Sequence, residues 1–163
     1  MIETSKSLQK ILRTLESHDA VDWVPVDVAA KSVIDLTVGR FENDPAEDHS
    51  FDCFNIVNPQ TVQWNDLVEA VSEFYHKQGC LLEVVEYGDW LNALRQIDLS
   101  SEQVDRYPGL KLTEFYEDMG RVENRKVQLA TNRSVQVVSS SSLAKLQPIN
   151  SQLVEKWLKG WAF

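Results

Sequence analysis

The sequence predicts a helix-rich α+β fold with few, short strands. Two observations predict it. Apolar residues recur at helical spacing in several segments, and the strand-like runs are short and do not alternate regularly with those segments. Because a doubly wound parallel sheet requires that alternation, we do not expect one. The chain has 163 residues, of which 43% are hydrophobic and 25% are charged. This length is enough for one hydrophobic core, so we expect a single domain over residues 1–163.

The first forty residues predict two helices separated by a short strand. Ser5–Ser17 places four apolar residues on one helical face, so we expect an N-terminal helix within residues 1–20. Val21–Val26 contains a proline, which suits a short strand or an edge strand. Asp27 is suited to cap the second helix, and Gly39 is suited to end it.

The remainder of the chain continues the same pattern. The predicted helices are Trp64–Gln78, Gly88–Ile97, Pro108–Met119 and Ser151–Trp161, and the predicted strands are Phe51–Val57 and Leu81–Glu86. Phe41–Ser50 is acidic and contains a proline, so it predicts an exposed loop. Residues 139–142 are four serines and predict a serine-rich turn or link. The tryptophans are expected to pack mostly in the core: Trp23, Trp64, Trp90, Trp157 and Trp161. Partial exposure is left open for Trp161 and Phe163, which could contact a partner.

Charge and composition exclude several classes of partner. The net charge of −9 argues against binding to nucleic acid or to an anionic membrane surface. No apolar stretch approaches the roughly 20 residues of a membrane-spanning helix, and the polar N-terminus does not resemble a signal peptide. The two cysteines are too few for a disulfide framework, so we expect a reducing, cytoplasmic location.

The sequence contains no motif that predicts a catalytic, cofactor-binding or metal-binding residue. A nucleotide-phosphate cradle needs clustered glycines, and none of the six glycines forms a G-x-G pair. The G-x-S-x-G motif of a nucleophilic serine is also absent. His76 and Cys80 are four residues apart, but Gly79 interrupts the helix that would place them on one face. We therefore expect no metal site.

Tyr107 and Lys111 match the Y-x-x-x-K spacing of short-chain dehydrogenases. In those enzymes one continuous helix presents both side chains, so that the lysine lowers the tyrosine pKa. Pro108 disfavours a helical conformation for Tyr107, and Gly109 weakens the following turn. We therefore interpret Tyr107 as a packing residue at a helix N-terminus.

Five segments resemble, in order, the C-terminal part of thioester reductase domains. They are Asp22–Ala30, Phe54–Leu67, Leu82–Leu94, Tyr107–Leu110 and Thr131–Trp161. These domains are extended short-chain dehydrogenases, and they end many non-ribosomal peptide synthetases, hybrid polyketide synthases and carboxylic acid reductases. Each motif is weak alone, but five in the right order cover most of the chain.

The resemblance implies a small substrate-binding lobe without a complete Rossmann sheet. The family's NADPH loop and its catalytic residues match nothing in this sequence, so no cofactor and no catalytic residue are carried over. In the family, the segments corresponding to VPVD and NP lie near the junction of this lobe with the Rossmann domain. The candidate pocket or interface residues are therefore Val24, Pro25, Val26, Asp27, Asn58 and Pro59.

The function implied by the resemblance is that of a truncated, redox-inactive terminal reductase-like domain of a secondary-metabolite megasynthase. Its expected partners are a carrier protein with a phosphopantetheine-tethered acyl or peptidyl thioester, and neighbouring megasynthase domains. Two alternatives remain open. One is a redox-independent Dieckmann-type cyclisation, and the other is a structural remnant or interaction module without activity. A homodimer through an exposed apolar face is also left open.

Overall fold

Helices dominate the computed structural model, which describes residues 1–43, 53–121, 127–137 and 142–161. Within these residues the strands have two or three residues each and form two-stranded sheets. The predicted helix-rich α+β fold is confirmed. The chain divides into two compact units. Unit 1 comprises Met1–Val21, Gln63–Lys126 and Asn150–Phe163, and unit 2 comprises Asp22–Val62 and Val127–Ile149.

Unit 1 holds most of the regular structure. Its helices are α1 (Ile2–Leu8), α3 (Trp64–His76), α4 (Tyr87–Arg95), α5 (Ser101–Arg106), α6 (Thr113–Met119) and α8 (Ser151–Trp161), with 3-10 helices at Glu16–His18 and Pro108–Leu112. Its strands are β1 (Lys10–Leu12), β2 (Ala20–Val21) and β4 (Glu83–Val85), and β3 (Val62–Gln63) lies where the chain re-enters the unit. Unit 2 holds α2 (Val26–Asn43) and α7 (Asn132–Val137).

The predicted N-terminal helix over Ser5–Ser17 is wrong beyond Leu8. α1 ends there, and Gln9 adopts the left-handed conformation with φ 54°. The next residues form β1, which pairs in parallel with β4 and places Ile11 opposite Val84. Ile11 is fully buried by this pairing. The apolar spacing correctly marked residues of the core, but long-range strand pairing rather than a helix buries them.

The helices predicted for the middle and the end of unit 1 are confirmed. α3 and α4 fall within one or two residues of the predicted bounds, and α8 matches them. α3 ends as predicted before Gly79, which takes φ 79°, and the Cys80 N–H donates back to the Tyr75 carbonyl. Ser100 caps the N-terminus of α5, because its hydroxyl accepts a hydrogen bond from the Gln103 N–H.

Two tryptophans stabilise the core of unit 1: each buries its ring and donates a hydrogen bond from its indole N–H. The Trp64 indole donates to the Leu12 carbonyl at 2.9 Å, and the Trp90 indole donates to the Ser5 hydroxyl at 3.0 Å. Both rings are buried, which confirms the predicted core role for them. Trp23 is 37% exposed, so the same prediction is wrong for it, and Trp161 is 44% exposed, which is the alternative left open for that residue.

The predicted helix Pro108–Met119 is wrong as a single element. Pro108 starts a 3-10 helix as its fixed φ favours, and α6 begins only at Thr113. Gly109 lies so close to α1 that an added Cβ would be 2.7 Å from the Thr4 hydroxyl oxygen, which accepts a hydrogen bond from the Gly109 N–H at 2.8 Å. This close approach to α1 explains why a glycine follows Pro108.

In unit 2, α2 is longer than predicted at both ends. It starts at Val26, so Asp27 lies in its first turn rather than at its cap. It also continues through Gly39, which keeps a helical conformation instead of the left-handed one that would end the helix. The carboxylate of Asp27 remains favourable in this position, because the N-terminal turn carries partial positive charge.

The strand predicted over Phe51–Val57 is wrong for its described residues, since 53–57 pair with no other strand. They are held by side chains instead. The Asn55 amide donates to the Ala130 carbonyl at 2.9 Å, and the Ser134 hydroxyl donates to the Asn55 carbonyl at 2.8 Å. Residues 44–50 of the predicted loop, 122–126 and serines 139–141 lie outside the described residues.

Candidate functional site

Asn58 connects three segments of unit 2. Its backbone N–H donates to the Asp22 carbonyl at 2.9 Å, and its side-chain amide donates to the Gln147 carbonyl at 3.1 Å. Its side-chain oxygen accepts from the Gln60 N–H at 3.0 Å, which closes the turn around Pro59. The residue is 2% exposed. A buried side chain with all of these bonds fixes the geometry of its surroundings.

The other candidate pocket residues differ in accessibility. Val24 and Pro25 are half-buried, and the Pro25 carbonyl accepts the first hydrogen bond of α2, from the Ala29 N–H. The exposed residues are Val26, Asp27 and Pro59. The structure therefore joins Asn58 to the strand-like segment that precedes α2 through the Asp22 carbonyl. The role of the six residues as a pocket or interface stays a prediction.

α2 carries apolar side chains on its exposed side. Its buried side includes Ser32, whose hydroxyl donates to the Val28 carbonyl, and Leu36. The exposed members form what we call the α2 stripe: Val26, Val33, Ile34 and Val38. Val26 is 84% exposed and Ile34 is 63% exposed. Several large aliphatic residues on one exposed helix are characteristic of a surface that a partner covers.

A polar cleft lies on unit 1. It has a volume of about 390 Å³ and is lined by Glu3, Lys6, Ser7, Gln9, Cys80 and Arg106. Both cations contact aromatic rings. The Lys6 ammonium lies 5.6 Å from the centre of the Tyr75 ring, and the Arg106 guanidinium lies 5.4 Å from the centre of the Tyr107 ring. These contacts orient the two cations.

An apolar cleft lies on the same unit, between α4 and α6. It has a volume of about 500 Å³ and is lined by Leu94, Arg95, Ile97, Leu99, Leu110, Lys111, Thr113 and Glu114. Leu94 and Leu110 are buried at its floor, whereas Leu99 is 78% exposed. Arg95 pairs with Glu117 at 2.7 Å. The cleft therefore offers apolar surface surrounded by charged side chains.

The buried tyrosines of unit 1 serve the core rather than acid–base chemistry. Burial raises the pKa of Tyr87 to about 12, and its hydroxyl donates to the Tyr116 carbonyl at 2.6 Å. Burial also raises the pKa of Tyr75 and of Tyr116. These phenols stay protonated at neutral pH, so none of them is poised to act as a base.

Tyr107 and Lys111 are not arranged as a dehydrogenase pair. Tyr107 has φ −125° and ψ 73°, outside the helical region, and it separates α5 from the 3-10 helix. It is half-buried, whereas Lys111 is exposed at the apolar cleft. The interpretation of Tyr107 as a packing residue is consistent with this geometry.

Across the parts of the chain that the structure describes, no three His, Cys, Asp or Glu side chains come together as a metal site would require. No described helix combines the length and the hydropathy needed to cross a bilayer.

Both clefts escaped the sequence analysis because each is built from distant segments. The polar cleft joins α1 to Cys80 and to the end of α5, and the apolar cleft joins α4 to the 3-10 helix after Tyr107. One signal was available: the Tyr107–Leu110 motif directly follows Arg106 of the polar cleft and ends at Leu110 of the apolar cleft. No periodicity marks such a site, because the contributing residues lie on short elements.

Comparison with known proteins places the chain among homologues of one kind, as a segment of much larger reductases and synthases. No protein-family model matches it. It is 26% identical over its whole length to carboxylic acid reductase of Neurospora crassa, and 28% identical over 96% of its length to 3-methylorcinaldehyde synthase of Talaromyces stipitatus. It is 24% identical over 87% of its length to adenylate-forming reductase Nps11 of Serpula lacrymans var. lacrymans.

The chain spans only a small part of each of these relatives. It corresponds to 15% of the carboxylic acid reductase, 5% of the 3-methylorcinaldehyde synthase and 14% of the adenylate-forming reductase. Non-reducing polyketide synthases also match it. The resemblance predicted from the five motifs is therefore confirmed: the homologues are reductases and secondary-metabolite synthases.

Proposed function

We propose that this chain is a reductase-like recognition segment of a secondary-metabolite megasynthase. It recognises an acyl or peptidyl thioester tethered to a carrier protein, or the carrier protein itself, and it reduces nothing on its own. The observation that carries the proposal is the similarity to reductases and polyketide synthases along nearly the whole chain.

Redox inactivity is part of the proposal. The sequence has no G-x-G pair with which backbone N–H groups approach a pyrophosphate. The tyrosine and lysine that resemble a dehydrogenase pair lie outside a common helix. We therefore expect this chain alone to bind no NADPH.

The α2 stripe supports a packing role next to a neighbouring megasynthase domain. It begins at Val26, one of the candidate interface residues, and continues to Val38 over three turns of helix. Exposed aliphatic side chains at this spacing suit burial against another apolar surface.

The apolar cleft supports recognition of the acyl part of a thioester. Its volume falls in the range of small-molecule sites, and its floor is aliphatic. Leu99 is exposed, so an acyl chain lying over it would bury apolar surface.

A carrier-protein titration tests the recognition. The purified chain is titrated calorimetrically with the apo, holo and acyl-loaded forms of a carrier domain from a non-reducing polyketide synthase. We expect the acyl-loaded form to bind more tightly than the holo form, because only the former buries an apolar chain. No binding of any form would contradict the proposal, and equal affinity for all three forms would contradict the acyl contact and assign recognition to the carrier protein itself.

A pair of matched variants locates the acyl contact. Leu99→Asp is expected to remove the difference between acyl-loaded and holo carrier, since it places a charge in the apolar cleft. Leu129→Asp, at an exposed leucine of unit 2, should leave that difference unchanged. If the two variants behave alike, the acyl chain binds elsewhere.

NADPH is titrated into the same preparation. We expect no saturable heat. Saturable binding in the micromolar range would mean that the chain holds its own cofactor site, and the redox-inactive part of the proposal would be wrong.

A further inference from the structure

Residues 54–57 of unit 2 have the local properties of a β-strand, although they pair with no strand that the structure describes. Phe54 is aromatic, and Ile56 and Val57 are β-branched, which are the residue types that strands favour. Residues 53–56 contain no helix, turn or bend, so the chain runs straight there. All four residues of this run are half-buried. What the 54–57 run lacks is a neighbouring strand.

One side of this run is held by side chains. The Asn55 carbonyl accepts a hydrogen bond from the Ser134 hydroxyl at 2.8 Å, and the Asn55 side-chain amide donates to the Ala130 carbonyl at 2.9 Å. Successive residues of a straight chain direct their backbone N–H and C=O groups to alternate sides. The backbone groups of Phe54 and Ile56 therefore lie on the side away from Ser134.

The backbone groups of Phe54 and Ile56 have no hydrogen-bond partner among the residues that the structure describes. Further along the chain, the Asn58 N–H does have one, the Asp22 carbonyl at 2.9 Å. Half-buried backbone groups without a partner cost free energy, and a row of them forms the edge of a strand that another strand can pair with. The donors and acceptors of this edge repeat at strand spacing, which another polypeptide backbone matches.

The unpaired edge is connected to the α2 stripe within unit 2. Asn58 joins the end of the 54–57 run to Asp22, and α2 begins four residues after Asp22, at Val26. Val26 is the first member of the α2 stripe and is 84% exposed. A strand edge and an exposed apolar helix in one compact unit are the two kinds of surface that a neighbouring domain covers, the first by backbone hydrogen bonds and the second by apolar burial.

The relatives indicate where such a strand comes from. The segment that matches this chain makes up 15% of the carboxylic acid reductase and 5% of the 3-methylorcinaldehyde synthase. In proteins of this size the remaining polypeptide is the nearest source of a strand, because a strand within the same molecule is present at a high effective concentration.

We propose that Phe54 and Ile56 pair with a β-strand of the neighbouring megasynthase domain, so that the 54–57 run becomes part of a sheet to which both parts of the protein contribute. This inference rests on the proposed function for the source of the strand. A second copy of this chain could offer the same backbone groups, and the experiment separates the two sources.

Amide hydrogen exchange measures the pairing directly. Exchange is followed by mass spectrometry at residue resolution, for the isolated chain at low and at high concentration and for the complete megasynthase. We expect the Phe54 and Ile56 amides to exchange close to the rate of an unstructured peptide in the isolated chain, and about a hundredfold more slowly in the megasynthase. The Asn58 amide is the internal control, because its bond to the Asp22 carbonyl forms within the chain itself and should protect it in both samples.

Three results would overturn the proposal. The first is the same fast exchange of the Phe54 and Ile56 amides in the isolated chain and in the megasynthase. The second is slow exchange in the isolated chain at high concentration only, which would assign the strand to a second copy. The third is slow exchange in the isolated chain at low concentration, which would mean that another segment of the same chain pairs with the edge.

Two variants of one residue isolate the backbone contribution. Ile56→Pro and Ile56→Ala both remove the isoleucine side chain, but only proline also removes the N–H. In the megasynthase, the Phe54 amide should exchange about tenfold faster in Ile56→Pro than in Ile56→Ala, as expected for loss of one backbone hydrogen bond. In the isolated chain the two variants should not differ at this amide. Equal rates in the megasynthase, with the Asn58 amide still protected, would contradict the pairing of Ile56.

This result is independent of the carrier titration. Slow exchange at Phe54 and Ile56 in the megasynthase, without binding of any carrier protein by the chain, would contradict the proposed function alone. Binding of the carrier without slow exchange at these two amides would contradict the strand pairing alone.

Discussion

Asn58 shows how one side chain can hold a part of the chain that has little regular structure. Its amide donates to the Gln147 carbonyl and accepts from the Gln60 N–H, so it bonds segments about 90 residues apart. Because the side chain is buried, water cannot replace these bonds if they are lost. The residue that the family resemblance marked at the lobe junction thus has a clear structural role in unit 2.

We expect Asn58→Ala to lower the free energy of unfolding by about 2 kcal/mol, since it removes two part-buried hydrogen bonds, one to the Gln147 carbonyl and one from the Gln60 N–H. Urea denaturation followed by circular dichroism measures the change. Asn55→Ala is the matched control: it loses one solvent-accessible bond to the Ala130 carbonyl, and we expect less than about 1 kcal/mol. Similar losses for both variants would contradict the role assigned to Asn58.

Tyr87 predicts a pH dependence of stability. Its pKa is raised by burial from 10 in the unfolded chain to about 12 in the folded protein. The stabilisation is complete below pH 10 and is lost as the pH rises from about 10 to 12, because the unfolded chain releases the phenolic proton first. Two pH units correspond to about 3 kcal/mol.

Urea denaturation at a series of alkaline pH values measures this loss. Tyr87→Phe is the control, since it has no proton to lose. It should be less stable than the natural chain at pH 8, through loss of the bond to the Tyr116 carbonyl, but its stability should fall less steeply above pH 10. Parallel curves for the two proteins would show that Tyr87 does not titrate in this range.

At the scale of elements, the N-terminal segment shows that apolar residues at helical spacing can also be buried by a strand. Ile11, Leu12 and Leu15 fit a helical face in the sequence, and all three are buried in the structure. Ile11 and Leu12 lie in β1, which pairs in parallel with β4 more than 70 residues away, and Leu15 lies after this strand, at the start of the 3-10 helix Glu16–His18. Gln9 takes a left-handed conformation at the point where α1 gives way to this strand.

Two glycines near helix ends differ in backbone conformation. Replacing each with alanine compares the cost of a left-handed backbone with the gain in helix propensity. Gly79 has φ 79°, and a Cβ added there would meet nothing within 4 Å. Gly79→Ala should therefore destabilise the protein by about 1 kcal/mol through backbone strain alone. Gly160→Ala, inside α8 and equally free of contacts, should stabilise it by about 0.5 kcal/mol. Thermal unfolding compares the two variants, and a change of the same sign in both would contradict this account.

At the scale of the whole molecule, the α2 stripe is a large apolar feature without a described partner element. The polar residues of α2 are used within unit 2: Asp35 pairs with Lys31 and accepts a hydrogen bond from the Ser142 N–H. The stripe is left to the solvent. We expect the neighbouring domain proposed above to cover it.

Without that domain, we expect the chain to self-associate through the α2 stripe. Sedimentation velocity should show a sedimentation coefficient that rises with protein concentration. Ile34→Lys should reduce this rise, because it places a charge at the centre of the stripe. Leu81→Lys, at an exposed leucine of unit 1, is the control and should not. Self-association that persists unchanged in Ile34→Lys would assign the contact to another surface.

The sequence alone predicted the helix-rich class, the positions of α3, α4 and α8, and the resemblance to reductases and synthases. The helices depend on the spacing of apolar residues and on caps, and the resemblance depends on ordered motifs. Each of these is a pattern of residues close together in the chain. Three features could be recognised only in the tertiary structure. Ile11 belongs to a strand, α2 continues through Gly39, and residues 53–57 are held by side chains. The clefts were likewise decided by tertiary structure. Strand pairing and clefts depend on residues far apart in the chain, and local periodicity carries no information about which distant segments meet.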